Sequence, residues 1–427
     1  MKMLIRRLIP TILILLFLAT SCGPTSNAIP TSGSSISITR IGTVSGDKTP
    51  NLFASPSATK AFFTPTVSPK NLSFQCLQVL VSKPSSLKAS GWIILRDYQR
   101  NGTLFALDLS NGQTTEILRS SGPHTLAAVS PNRRLLAYRD NDVSGKGDNL
   151  VIIDSHFVVQ IAIPWQASWS AIVNWINNKQ LAILNTDPET RMVILDSVTG
   201  QERPVSFSQF PDFSDSVTNP WIEMDPKEQL VLYPIMGDAY SLFDFVGKKS
   251  IARLSSWTTE SPDASWSTDG GFIAVIGPNP RYYDNLGGSD EIFTIDRNGH
   301  VEQITHLSDY YGRNLGLYSP RWSPDGKRLA FWIQHSLNGT MNYVLAVADL
   351  VTKSVTNFCV SSDPSGYGGE FHEALPGPIW SPDGKQLIIE SRNSEDHSRV
   401  VLVDLLNNTA VEIAQDTRPV GWMTSEP

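Results

Sequence analysis

Three stretches carry the side chains best suited to gripping another molecule. They are Arg281-Tyr282-Tyr283-Asp284, Asp309-Tyr310-Tyr311-Gly312-Arg313 and Tyr367-Gly368-Gly369-Glu370-Phe371-His372-Glu373. Aromatic rings offer large contact areas at low entropic cost, and arginine and carboxylates add directional hydrogen bonds. This chemistry suits a peptide or carbohydrate surface. The same tyrosines can instead pack their own loops, and the residue types leave both readings open. A fourth stretch sets oxygen ligands at alternate positions, Asp140, Asp142, Ser144 and Asp148, with Gly145 at the turn. It begins like a calcium loop, but Val151 stands where the closing bidentate glutamate belongs, so a solvated polar hairpin competes with a metal site. The seven histidines, at 124, 156, 300, 306, 335, 372 and 397, show no ligand spacing. Only His306 and His372 fall where a site would be watched. There is no Gly-x-Ser-x-Gly elbow, His-Glu-x-x-His, phosphate loop or Cys-x-x-Cys, and no cofactor is expected.

The elements that must position these residues come from a repeat. Trp322-Ser-Pro-Asp-Gly-Lys-Arg-Leu-Ala-Phe recurs as Trp380-Ser-Pro-Asp-Gly-Lys-Gln-Leu-Ile-Ile, and more weakly as Trp266-Ser-Thr-Asp-Gly-Gly-Phe-Ile-Ala-Val. Proline presets φ, aspartate bonds nearby backbone and glycine accepts positive φ, so each copy reads as a tight turn between two strands. The tryptophan position is held in turn by Val129, Trp175, Met224, Trp266, Trp322, Trp380 and Trp422. A second marker, an apolar run ending in aspartate, gives Asp108, Asp154, Asp196, Asp244, Asp296, Asp349 and Asp404. An acid repeated in every unit is a turn-former bonding local backbone rather than a catalyst.

Both markers occur seven times, but they are offset. The first aspartate unit has no tryptophan-type strand before it, and the strand around Trp422 has no unit after it. A closed ring removes the mismatch if the last strand completes the sheet begun by Gly91-Trp92-Ile-Ile-Leu. Periods of about 40–50 residues, with four short strands each, are the mark of a β-propeller, and the repeat predicts an all-β, seven-bladed one closed by its C-terminal strand. The tight turns then share one rim. The longer connections share the other: Asp140–Asn149, Ser206–Asn219, Pro278–Ser289, His306–Tyr318, Gln334–Met341 and Val360–Gly377. Long loops on a rigid scaffold are where binding usually resides.

The signature resembles the repeat of TolB-type propellers, which also occurs in prolyl-oligopeptidase-like proteins. The likeness covers about residues 85–424. It is sharp in three copies and degenerate where Pro131-Asn132, Asn177-Asn178 and Pro226-Lys227 replace Pro-Asp-Gly. It implies a fold and says little of function, since propellers host binding, scaffolding and several chemistries.

Residues 1–22 read as a secretory signal, with Lys2, Arg6 and Arg7 before the apolar run Leu8–Leu18. Ala19-Thr20-Ser21-Cys22 resembles the lipobox of bacterial lipoproteins, in which the cysteine is diacylated. Leu18 lies one place further from Cys22 than that family prefers. Residues 23–70 are dominated by Ser, Thr, Pro and Gly and read as a disordered tether with a reach of roughly 40 Å. Residues 71–427 make the propeller. Setting Cys22 aside leaves Cys76 and Cys359, which an exported protein pairs or buries as thiols. The chain has 34 Lys and Arg against 41 Asp and Glu, a net charge of −7, and its leader takes three of the bases. Such an acidic chain without a basic cluster is a poor nucleic-acid binder. The expectation is a lipid-anchored module on a bacterial cell membrane, facing outside the cytoplasm, that binds a protein or envelope component. The alternative is an enzyme acting on polysaccharide or peptide through rim residues.

Overall fold

The computed structural model describes residues 72–80, 88–97, 99–100, 102–118, 127–140, 148–166, 169–185, 192–213, 222–235, 239–254, 264–279, 281, 288–337, 340–360, 376–392 and 397–424. Their strands form seven separate sheets. Four are simple up-and-down meanders in chain order. Blade 2 holds Ala127–Val129, Leu135–Asp140, Asn149–Asp154 and Val159–Pro164. Blade 3 holds Trp169–Trp175, Gln180–Asn185, Met192–Asp196 and Glu202–Val205. Blade 4 holds Glu223–Met224, Leu230–Ile235, Ala239–Asp244 and Lys249–Leu254. Blade 5 holds Ala264–Trp266, Phe272–Pro278, Asp290–Asp296 and Val301–Gln303.

Blade 1 is completed from the far end of the chain. Thr417–Met423 pairs antiparallel with Trp92–Asp97, setting Trp422 opposite Ile93 and Met423 opposite Trp92. Thr103–Asp108 and Thr114–Leu118 follow outward. Blade 6, formed by Leu315–Trp322, Arg328–Leu337, Thr340–Asp349 and Ser354–Val360, carries a fifth, parallel strand, Leu72–Leu77. Blade 7, formed by Ile379–Trp380, Gln386–Arg392, Ser398–Asp404 and Thr409–Gln415, carries a shorter one, Val79–Leu80. The two added strands have no repeat signature, and periodicity alone does not reveal them.

The apolar residues collect between blades, one cluster at each seam. Ile94, Leu104 and Ala106 meet Leu136, Tyr138 and Ile153 between blades 1 and 2. Ile93, Leu95 and Trp422 meet Ile388, Val400 and Leu402 between blades 1 and 7. The last seam is therefore packed like the others, and the ring is closed. The molecule is a seven-bladed β-propeller. Middle strands face a neighbour on both sides, so they read as unbroken apolar runs; Leu230–Ile235 is buried at every position. Each such aliphatic side chain contributes about 2 kcal/mol when buried.

Tryptophans at the inner strands stitch one blade to the one before. Trp175 donates its indole N–H to the Ala128 carbonyl, Trp322 to Ser265 and Trp380 to Arg321, each at 2.9 Å. Trp422 departs from this pattern and donates to Ser90 of its own blade at 3.0 Å.

Two expectations are corrected. Gln334–Met341 is not a long loop: Arg328–Leu337 and Thr340–Asp349 pair to their ends, with Leu337 opposite Thr340. Alternating polar residues there belong to a strand running beyond the others. His306–Tyr318 is also partly ordered structure, because Ser308–Tyr311 forms a single helical turn and Leu315 starts the next inner strand.

Candidate functional site

The tight-turn rim is built from self-contained corners. In blade 6, Ser323 donates its hydroxyl to Asp325 at 2.5 Å and accepts the Arg328 N–H at 2.9 Å. Asp325 also accepts the Lys327 N–H at 3.2 Å. Blade 7 repeats this with Ser381, Asp383, Lys385 and Gln386, and blade 5 with Ser267, Asp269, Gly271 and Phe272. Degenerate copies keep the geometry with other groups. In blade 2, Asn132 replaces the aspartate and accepts from Ser130 at 2.7 Å. In blade 4, fully buried Asp225 replaces the serine and accepts the Gln229 and Leu230 N–H groups. Its other oxygen takes a 2.5 Å bond from Arg297 of blade 5. The seven periodic aspartates all cap turns. Asp196 and Asp349, for example, each accept two backbone N–H groups two and three residues on.

The opposite rim is organised differently between blades 5 and 6. Glu291 sits near the start of the third strand of blade 5 and is fully buried. Its carboxylate accepts the Thr305 hydroxyl at 2.6 Å, the Leu307 and Ser308 N–H groups at 3.0 and 2.9 Å, and the Ser308 hydroxyl at 2.5 Å. Asn279 bonds to Ser308 at 2.5 Å, which ties the loop to the preceding strand as well. Ser289 donates to the Gly312 carbonyl at 2.6 Å, and the Asn314 N–H reaches the Gly288 carbonyl. The connection 304–314 is thus held from beneath by a buried acid and its neighbours. Next to Glu291, Asp290 accepts the Leu317 N–H at 3.3 Å. Burial pushes its carboxyl up to about 6, the Leu317 bond opposes this, and the Glu291 charge adds to it.

The held loop presents side chains outward. Arg281 and Asp309 form an ion pair at 3.6 Å. Tyr310 is 58% exposed and packs against Tyr311 with ring centroids 5.0 Å apart, edge to face. Tyr311 packs on His335 at 4.8 Å and its hydroxyl accepts a 2.6 Å bond from Asn357. Burial, and then the neighbouring Tyr310, push the Tyr311 hydroxyl up to about 12. Tyr311 therefore packs its own loop, whereas Tyr310 faces out. His306 lies on the same connection, within 3.1 Å of Gln303. Arg313 is exposed at its end.

Of the residues singled out in the sequence, Arg281, Asp309, Tyr310 and Tyr311 meet here. Tyr282, Tyr283, Tyr367, Glu370, Phe371 and His372 lie outside the described residues, as does Cys22. So do Asp142 and Ser144 of the calcium-like stretch. Asp148 of that stretch is ion-paired with Arg139. Among the described residues, no three His, Cys, Asp or Glu side chains gather as metal ligands would. Cys76 and Cys359 are register partners in blade 6 and are joined by a disulfide. Sequence reasoning missed Glu291, Asn279 and Ser308. Their one signal is an acid at the head of the apolar run Ile292-Phe293-Thr294-Ile295.

The fold and rim define the class, a seven-bladed propeller with one plain and one decorated face. No protein-family model and no curated protein matches the chain. Solved structures similar to it include TolB from Acinetobacter baumannii, 17% identical, covering 78% of this chain and 66% of that one, with a TM-score of 0.43. An oligogalacturonate lyase from Vibrio parahaemolyticus is 10% identical over 77% of this chain and 87% of its own, with a TM-score of 0.48. Hydrazine synthase from Kuenenia stuttgartiensis is 15% identical over 65% and 76%, with a TM-score of 0.41. Likeness at this level bears on neither ligand nor chemistry.

Proposed function

We propose that this protein is an extracytoplasmic binding or scaffold module, held at a bacterial membrane by an acylated Cys22 and the 23–70 tether, that takes a protein or envelope component on its long-connection rim. One observation carries the binding half: the loop fixed by Glu291 turns Asp309 and Tyr310 outward beside Arg281. A surface held before its ligand arrives loses less entropy on binding. The leader and Cys22 support the anchoring half. Two measurements test the halves separately. Labelled fatty acid should enter the intact protein and not the Cys22→Ala variant; equal labelling of both rejects the anchor. Membrane partners should co-purify with the intact protein and be lost from a Tyr310→Ala, Asp309→Ala variant that melts normally. Turnover of an envelope glycan or peptide, abolished by His306→Ala, would replace binding with catalysis.

A further inference from the structure

The outer edges of the blades are not alike. Among the described residues, nothing pairs with the outer side of Leu72–Leu77, which is therefore an open sheet edge. An open edge presents a row of backbone donors and acceptors to any strand that can reach it, and proteins usually guard such edges with charge or proline. The outer strands of blades 1 to 5 are guarded in this way, by Glu116, Pro164, Pro204, Lys249 and Glu302 respectively. The outer strand of blade 7 is only the two residues Val79–Leu80. Blade 6 has neither device: from Asn71 to Ser82 the sequence holds no charged residue and no proline.

Other features fix this edge instead of hiding it. Six consecutive positions pair in parallel register with Ser354–Val360, from Leu72 opposite Val355 to Leu77 opposite Val360. The Cys76–Cys359 disulfide locks that register covalently. Phe74 is 50% exposed and rests on Tyr310, with ring centroids 5.3 Å apart. Among the described residues, a strand arriving at this edge would meet backbone without a strand partner along its length and two aromatic rings near its middle.

We propose that the Leu72–Leu77 edge is a second docking site, which takes an extended, uncharged segment of a partner protein as a sixth strand of blade 6. Backbone bonds would supply affinity, and an aromatic or β-branched residue beside Phe74 would supply selectivity, since such cross-strand pairs stabilise a sheet. A second copy of this chain fits less well, because two acidic chains, each with 41 Asp and Glu against 34 Lys and Arg, repel one another. The site lies on the outer wall and borders the rim at Tyr310, but its backbone edge and the Phe74 and Ser73 tests stand apart from the rim reading.

The test uses full-length oxidised protein, with a short neutral peptide alternating Thr and Tyr as probe. Amide hydrogen exchange at 72–77 should slow by roughly ten-fold with the peptide in excess. Phe74→Lys and, independently, Ser73→Lys should abolish the slowing while each melts as the parent does, and Phe74→Leu should keep most of it. Unchanged exchange at saturating peptide, or undiminished protection in both lysine variants, overturns the proposal. Protection that appears without peptide and grows with protein concentration would give the edge to a second copy and overturn the partner assignment.

Discussion

The two rims are made by the same strands, yet they secure their chain reversals by different means. The corners of the tight rim carry their own hydroxyl, carboxylate or amide oxygen within a few residues of the N–H groups it caps, as Ser323 and Asp325 do in blade 6 and Asn177 in blade 3. The loop between blades 5 and 6 borrows its anchor, Glu291, from the strand beneath. Corners that satisfy themselves spend their polar side chains on the turn and come out alike around the ring. A loop fastened from below leaves Asp309 to pair with Arg281 and Tyr310 more than half exposed at the surface. That difference, rather than loop length alone, is the ground on which the decorated rim is proposed as the binding face.

The most damaging way to break the contrast is Glu291→Ala. It strands two buried N–H groups and two hydroxyls at once, and unmatched buried donors are costly. The expected loss is about 3 kcal/mol in denaturant unfolding, with faster hydrogen exchange confined to 304–312. A smaller loss, with exchange rising evenly around the ring, would mean that the loop is held by something else.

The rims also differ in their response to acid. On the tight rim, Asp269 is held below the usual carboxylate range by the Ser267 hydroxyl and the Gly271 N–H. Asp325 and Asp383 lie low too: burial opposes this, but the serine hydroxyl and a backbone N–H outweigh it. Their stabilisation is present above the ordinary aspartate range and lost as pH falls through their lowered values. Asp290 has the opposite sign. Its folded value of about 6 lies above the ordinary aspartate value of 3.8. Its contribution is full below pH 4 and disappears as pH rises through about 6, an effect of about 3 kcal/mol at most. Asp290→Asn should therefore flatten the fall in unfolding free energy between pH 4 and pH 7 and leave the acid limb unchanged. An unaltered slope would place the titrating group elsewhere.

The smallest effect is expected on the repeated corners. Ser323→Ala removes one hydroxyl from a turn that keeps its backbone bonds, Gly326 N–H to Ser323 carbonyl and Ser323 N–H to Arg328 carbonyl. About 1 kcal/mol should be lost, with no change in exchange on the opposite rim. A loss as large as that of Glu291→Ala would erase the distinction between self-capped and borrowed anchors.

What the sequence reveals follows the same division. The Ser-Pro-Asp-Gly corners are legible because donor and acceptor lie within a few residues, so the bond is written in consecutive letters. Closure is legible because the offset between the tryptophan and aspartate markers leaves one strand missing at the start and one left over at the end. Glu291 escaped notice because its partners lie 14 to 17 residues away, in a loop without repeat character. Phe74 and the strand that carries it were hidden further still, since their sheet partners follow after nearly the whole ring. Gln334–Met341 was misread because a long hairpin with polar residues on alternate positions looks like a loop when the other blades have short strands. Degenerate corners such as Asp225 show the converse: the letters change, while the bonds to Gln229 and Leu230 stay.

The claim that partners meet the decorated rim is tested most directly by site-specific photo-cross-linking in native membranes. One probe would replace Tyr310, and the other would replace Val351, which is more exposed still and lies on the tight rim. The account predicts a discrete adduct from position 310 that Glu291→Ala abolishes, and none from position 351. An adduct from position 351 with none from position 310 would contradict it.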